Sequence, residues 1–284
     1  MAGDSSTLGS VALGLASAVS WGAGDFSGGL ASRRAPALAV VAASQGFGIA
    51  LLVGLAIATG EALPAPVEIG WAALAGANGA FGLLALYSTL ASGRMGIAAS
   101  VSGVVGAVVP VVVGSVAQGS PGALRLTGFA LALAGVWLLA ATADGAVRAG
   151  LRELTLPLLS GVSFGLFLVL IHQAGGSTVL WPLTAARATS MTVLTAVGGA
   201  TGRLKLPGRS ALGLTALAGL LDTGGNAFFL LAAQAGRLDV AGVLSSLYPA
   251  STVILACLLL GERLTVRQTA GAVATLAAIA CVSW

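Results

Sequence analysis

LPAPVEIGWAALAG, residues 63–76, lies over LPGRSALGLTALAG, residues 206–219, without a gap when the chain is slid along itself by 143 positions. Seven of the fourteen positions are identical, where a composition this biased gives roughly one in nine by chance, so the pair marks an internal duplication. The same offset aligns Ser17, Val19, Ser20 and Gly22 with Ser160, Val162, Ser163 and Gly165. It also aligns Gly93-Arg94 with Gly236-Arg237, and Ala98, Ser102 and Gly128 with Ala241, Ser245 and Gly271. The chain divides into a first unit at 1–145 and a second at 146–284.

Both copies are too apolar for a soluble domain. Hydrophobic residues make up 57% of the 284 and charged residues 8%, and the mean hydropathy is +1.01, which places the chain among polytopic membrane proteins. Charges gather in short clusters at Arg33-Arg34, Arg148 to Glu153, Arg203 to Arg209 and Glu262 to Arg267. Apolar windows of about 20 residues, the length that crosses a hydrocarbon core of about 30 Å, predict ten helices. They fall near 8–30, 36–59, 68–91, 96–118 and 123–143 in the first copy, and near 153–173, 179–201, 210–235, 239–260 and 266–284 in the second. The spans lack the alternation of a β-barrel strand. The predicted fold is all-α, with ten transmembrane helices forming two five-helix repeats around a central cavity.

Five is an odd number, so the second copy enters the bilayer in the opposite sense to the first. Inverted repeats of this kind are characteristic of secondary transporters, whose sites lie near the midplane between the copies. One set of loops carries Arg33, Arg34, Arg94, Arg148, Arg152, Arg203, Lys205, Arg209, Arg263 and Arg267, and the other only Arg125 and Arg237. The positive-inside rule makes the first set cytoplasmic. Both termini are then expected in the periplasm of a bacterial inner membrane. No cleavable leader is expected, since no basic residue precedes the first span.

Composition disfavours other classes. Thirteen basic residues scattered over several loops make no nucleic-acid footprint, and no GxxxxGK[ST] loop is present for ATP hydrolysis. One histidine and two cysteines, Cys257 and Cys281, offer no metal set and no disulfide framework. No cofactor and no obligatory protein partner is implied; the expected partners are a small-molecule substrate and the lipid bilayer. An intramembrane enzyme using Asp25 and Asp222 as paired carboxylates is the alternative from another class. A channel is the third reading, but channels present rings of like charges or carbonyls, and the polar residues here are few and uneven.

Ionisable side chains in mid-span cost about 2.5–3.5 kcal/mol on insertion scales and point to function. Asp25, Arg187 and Asp222 are the three candidates. In GLLDTGGNAFF, residues 219–229, Asp222 and Asn226 share a helical face with Gly225 and Phe229, which predicts a polar stripe towards the cavity. Trp21 and Asp25 are likewise four apart, and the repeat sets Phe164 opposite Trp21. Trp21, Asn78, Phe164, Asn226, Ser245, Ser246 and Tyr248 are the expected substrate contacts. Asp25 and Asp222 are the expected coupling or charge-recognition residues, and Arg187 is the expected ion-pair partner of one of them. His172, near the end of the sixth span, reads as interfacial. Pro110 and Pro249 each remove an amide donor inside a span and are the candidate hinges. The glycine ladder Gly14, Ala18, Gly22 and the pair Gly103, Gly106 read as sites of close helix approach.

SSLYPASTVILACLLLGERLTVRQTAGAVATLAAIACV, residues 245–282, resembles the EamA-type domain of the drug/metabolite transporter superfamily. Pro249, the turn Gly261-Glu262-Arg263-Leu264 and Gly271 carry the resemblance. It implies a ten-helix secondary transporter whose cavity is lined mainly by the first, third, fourth, sixth, eighth and ninth helices, similar to amino-acid and metabolite exporters of the YddG kind. Glu262 has no carboxylate counterpart at Ser120, and reads as a residue that stabilises the start of the last helix.

Overall fold

The computed structural model describes residues 2–91, 95–139, 151–260 and 265–283. Arg94, Arg148, the turn at 261–264, Trp284 and the boundary between the copies at 145/146 lie outside the described residues. The helices of the first copy are α1 (Ala2–Ser32), α2 (Ala37–Thr59), α3 (Pro66–Ala91), α4 (Met95–Gln118) and α5 (Ala123–Leu139). Those of the second are α6 (Leu151–Gly175), α7 (Leu180–Ala200), α8 (Arg209–Ala235), α9 (Leu238–Ser245), α10 (Tyr248–Leu260) and α11 (Val266–Ser283). Five spans in α2, α3, α4, α6 and α8 are long and apolar enough to cross a membrane. Large side chains such as Val19, Ile57, Val116 and Leu258 point outwards and are exposed, an arrangement stable only against lipid.

The ninth predicted span, 239–260, is two helices rather than one. α9 ends at Ser246, whose N–H donates to Gly242 O at 3.0 Å, and α10 begins at Tyr248. Pro249 has no N–H to continue a ladder, so the break falls just before it. Pro249 therefore starts a helix instead of kinking one. Its ring packs within 3.1 Å of where a Cβ on Gly103 would lie. Pro110 does sit inside α4. It fills the space left by the absent side chain of Gly242, where an added Cβ would come within 2.7 Å of its ring.

The copies are related by a two-fold exchange that the packing makes explicit. α1 lies along α8 as α6 lies along α3, and α1 contacts α9 and α10 as α6 contacts α4. The pairs α5/α11, α2/α7 and α4/α9 meet their own counterparts across the axis. Individual hydrogen bonds keep the 143-residue register. Ser17 Oγ donates to Gly225 O at 2.8 Å and Ser160 Oγ to Gly82 O at 2.9 Å; Ser102 Oγ donates to Pro157 O at 3.0 Å and Ser245 Oγ to Gly14 O at 3.5 Å. In the second and seventh helices the register is one residue shorter. An added Cβ on Gly76 would strike the carbonyl of Ala186, and one on Gly219 the carbonyl of Ser44. Small residues let these backbones touch where lipid supplies no hydrophobic drive. The fold is an all-α membrane protein of ten spans in two inverted five-helix repeats.

Outside the bilayer core, Glu61 ties the copies together. α2 ends on Gly60 in the left-handed conformation, φ 66°, and the chain turns Glu61 towards α7. Its carboxylate accepts from the amides of Val179 (3.1 Å), Leu180 (2.7 Å) and Trp181 (3.0 Å). These are donors that a helix start leaves without partners, and the negative charge suits the helix dipole.

Candidate functional site

A cavity sits between the repeats at mid-helix, with about 70 Å³ of space open to the centre of a water-sized sphere. That is several times the roughly 10–15 Å³ a cavity needs to hold a single water. α1 supplies Trp21 and Asp25, α8 Asp222 and Asn226, and the break between α9 and α10 supplies Ser246 and Tyr248. Facing them are Gly76, Gly79 and Leu83 of α3, Gly103 and Gly106 of α4, and Phe164, Phe167 and Leu168 of α6. α2 and α7 add Gln45, Leu183, Arg187 and Ser190. The second and seventh helices thus line the cavity as well, beyond the six helices the resemblance implies.

Arg187 is the electrostatic centre. Its Nη2 donates to Asp222 Oδ2 at 2.5 Å and its Nη1 to Gln45 Oε1 at 3.0 Å, while Nε is buried without a partner. The Arg187 side chain is 4% exposed and that of Asp222 18%, so of the two cavity-lining partners the carboxylate is the more open. Gly48 makes room for the guanidinium: a Cβ there would lie 2.8 Å from Arg187 Cδ. With the register of the second and seventh helices, Gln45 is the repeat counterpart of Arg187.

An aromatic cluster flanks this centre. Trp21 stacks on Phe229 with centroids 6.1 Å apart and meets Tyr248 edge-on at 6.4 Å. Trp21 Nε1 donates to Asn226 Oδ1 at 3.1 Å, which fixes both side chains. The indole lies over Gly225, and the ring of Phe164 lies over Gly82, the equivalent glycine.

Trp21, Asp25, Phe164, Arg187, Asp222, Asn226, Ser246 and Tyr248 therefore converge on one cavity. Asn78 does not join them. Its Nδ2 donates to Leu74 O at 2.9 Å along its own helix. The neighbouring Gly79 holds the cavity-facing position, and one residue turns a helix by about 100°. Ser245 is fully buried against α1. Phe229, expected on the polar stripe, lies beneath Trp21 and is also fully buried. Gln45 and the lining glycines were not expected; at the 143-residue offset Arg187 falls opposite Ser44, and only the shorter register of these two helices sets it opposite Gln45.

Residues 151–284 match the EamA-like transporter family. Members of the EamA-like family are membrane transporters of small molecules. A solved crystal structure resembles the whole fold, with a TM-score of 0.75 and 16% identity over 96% of this chain and 95% of that one. At that identity the likeness speaks for the fold alone. No curated protein matches the chain.

Proposed function

We propose that the protein is a secondary transporter of the bacterial inner membrane that exports small metabolites, amino acids first among them, by alternating access. The observation that carries this reading is the placement of a salt-bridged, aromatic-flanked cavity at mid-helix between two inverted copies, where such transporters hold their substrates. The EamA-like domain supports the same class.

In this reading Asn226 and Ser246 hydrogen-bond the polar part of the solute, Trp21 and Phe164 enclose its apolar part, and Tyr248 closes the cavity beside Trp21. Asp25 and Asp222 recognise charge or carry the coupling proton, and Arg187 holds Asp222 in place. Pro110 and the break before Pro249 are the points about which α4 and α9–α10 re-pack. The basic loops lie in the cytoplasm and both termini in the periplasm.

The test is counterflow in proteoliposomes loaded with individual amino acids, with and without a proton gradient. Saturable exchange that is lost in Asp222→Asn is the expected result. Linear, non-saturating flux would instead identify a channel, and chemical conversion of the solute an enzyme.

A further inference from the structure

The two-fold exchange makes the cavity symmetric in shape and asymmetric in chemistry. At the 143-residue register, supported by the paired serine bonds to Gly82 and Gly225, each polar lining residue can be compared with its own counterpart. Asp25 corresponds to Leu168, Asn226 to Leu83, and Asp222 to Gly79. All six line the cavity. The carboxylates and the amide lie on the α1–α8 wall, and their equivalents on the α6–α3 wall carry no polar side-chain atom. Arg187 reaches towards the first wall, not the second. Ser102 of α4 also borders the cavity, but its hydroxyl donates to Pro157 O.

The geometry points to oriented binding: the polar group of a solute rests on Asp25, Asp222 and Asn226 of the α1–α8 wall, and its apolar part, passing between Trp21 and Phe164, ends on the α6–α3 wall, where Gly79, Leu83 and Leu168 select for its length. The inference rests on the transporter reading and adds the specificity determinants of the same cavity. Leu83 and Leu168 present only apolar atoms to the cavity, so an apolar chain laid against them leaves no polar side chain of that wall unpaired. A full methylene burial corresponds to about fourfold in affinity. Gly79 keeps this wall low beside the Phe167 ring, which also lines the cavity. An added Cβ would lie 3.2 Å from the Phe167 ring, tight but accommodated by a small ring shift.

The experiment is calorimetric titration of the purified full-length protein with glycine, alanine, 2-aminobutyrate and norvaline. These ligands share one head group and differ by single methylenes. The expected result is a stepwise gain of two- to fourfold per methylene in the unmodified protein. In Leu168→Asn and Leu83→Asn the step falls below twofold. In Gly79→Ala, a change small enough to leave the fold intact, the gain stops at least one methylene sooner. Asp25→Asn lowers every member of the series alike. A series without steps, or steps that survive all three wall variants, overturns the proposal. Counterflow that is present while the steps are insensitive to the wall rejects oriented binding alone. Wall-sensitive steps without counterflow reject the transporter reading alone.

Discussion

The Arg187–Asp222 pair makes an unequal prediction for its two halves. Removing one partner of a buried pair costs about 3–5 kcal/mol, because the other charge is left uncompensated. The two residues are not equally placed to bear that. Asp222 keeps 18% of its side-chain surface exposed, where water can still solvate it. Arg187 is 4% exposed, already has an unpartnered Nε, and cannot lose its proton. Asp222→Leu is therefore expected near the upper end, about 5 kcal/mol, and Arg187→Leu near the lower, about 3 kcal/mol. The double variant removes both members of the pair and leaves the Gln45 oxygen without its donor, at about 1 kcal/mol. It is expected to be more stable than either single variant. Reversible unfolding in mixed micelles, run as a double-mutant cycle, measures all three. Singles that each cost under 1 kcal/mol, or a double equal to their sum, would refute the electrostatic account of the site.

Other expectations follow from packing. Ser17→Ala and Ser160→Ala remove equivalent bonds to Gly225 and Gly82; unfolding should show equal losses of about 0.6 kcal/mol, typical of polar contacts between membrane helices, and additive in the double variant. Gly225→Ala places a methyl group against the Trp21 indole, so it should cost about 1–3 kcal/mol and shift the tryptophan emission, whereas Gly70→Ala, which meets nothing within 4 Å, should stabilise by about 0.5–1 kcal/mol. Glu61→Ala leaves three amides at the start of α7 without their acceptor, and should lower stability by about 1–3 kcal/mol with faster hydrogen exchange confined to residues 179–181.

The duplication was legible because its register is built into backbone contacts. Ser17 and Ser160 bond the equivalent carbonyls, and Gly82 and Gly225 each accept an aromatic ring, so these residues persist in both copies while lipid-facing positions drift. Asp25, Arg187 and Asp222 were legible for a different reason: a charge in mid-span is too costly to sit anywhere but an interior site. The break at Ser246 and Leu247 was hidden because 239–260 has the length of one span, and a proline inside it reads equally as a kink. Asn78 shows the limit of depth without azimuth. The repeat sets it opposite Leu221, next to the level of Asp222, but the cavity belongs to its neighbour Gly79. Lining glycines carry no signal of their own, since Gly76, Gly79, Gly103 and Gly106 look like any other close-approach positions until the opposing wall is known.

The central claim is that this cavity is the path of the solute. A single cysteine at Ser246, in a protein whose Cys257 and Cys281 are replaced by alanine, tests it through alkylation by a membrane-impermeant maleimide in proteoliposomes. The account predicts that modification abolishes counterflow, that it proceeds from either side of the membrane, and that a transported amino acid slows it. Counterflow that continues undiminished with Ser246→Cys fully alkylated would contradict it.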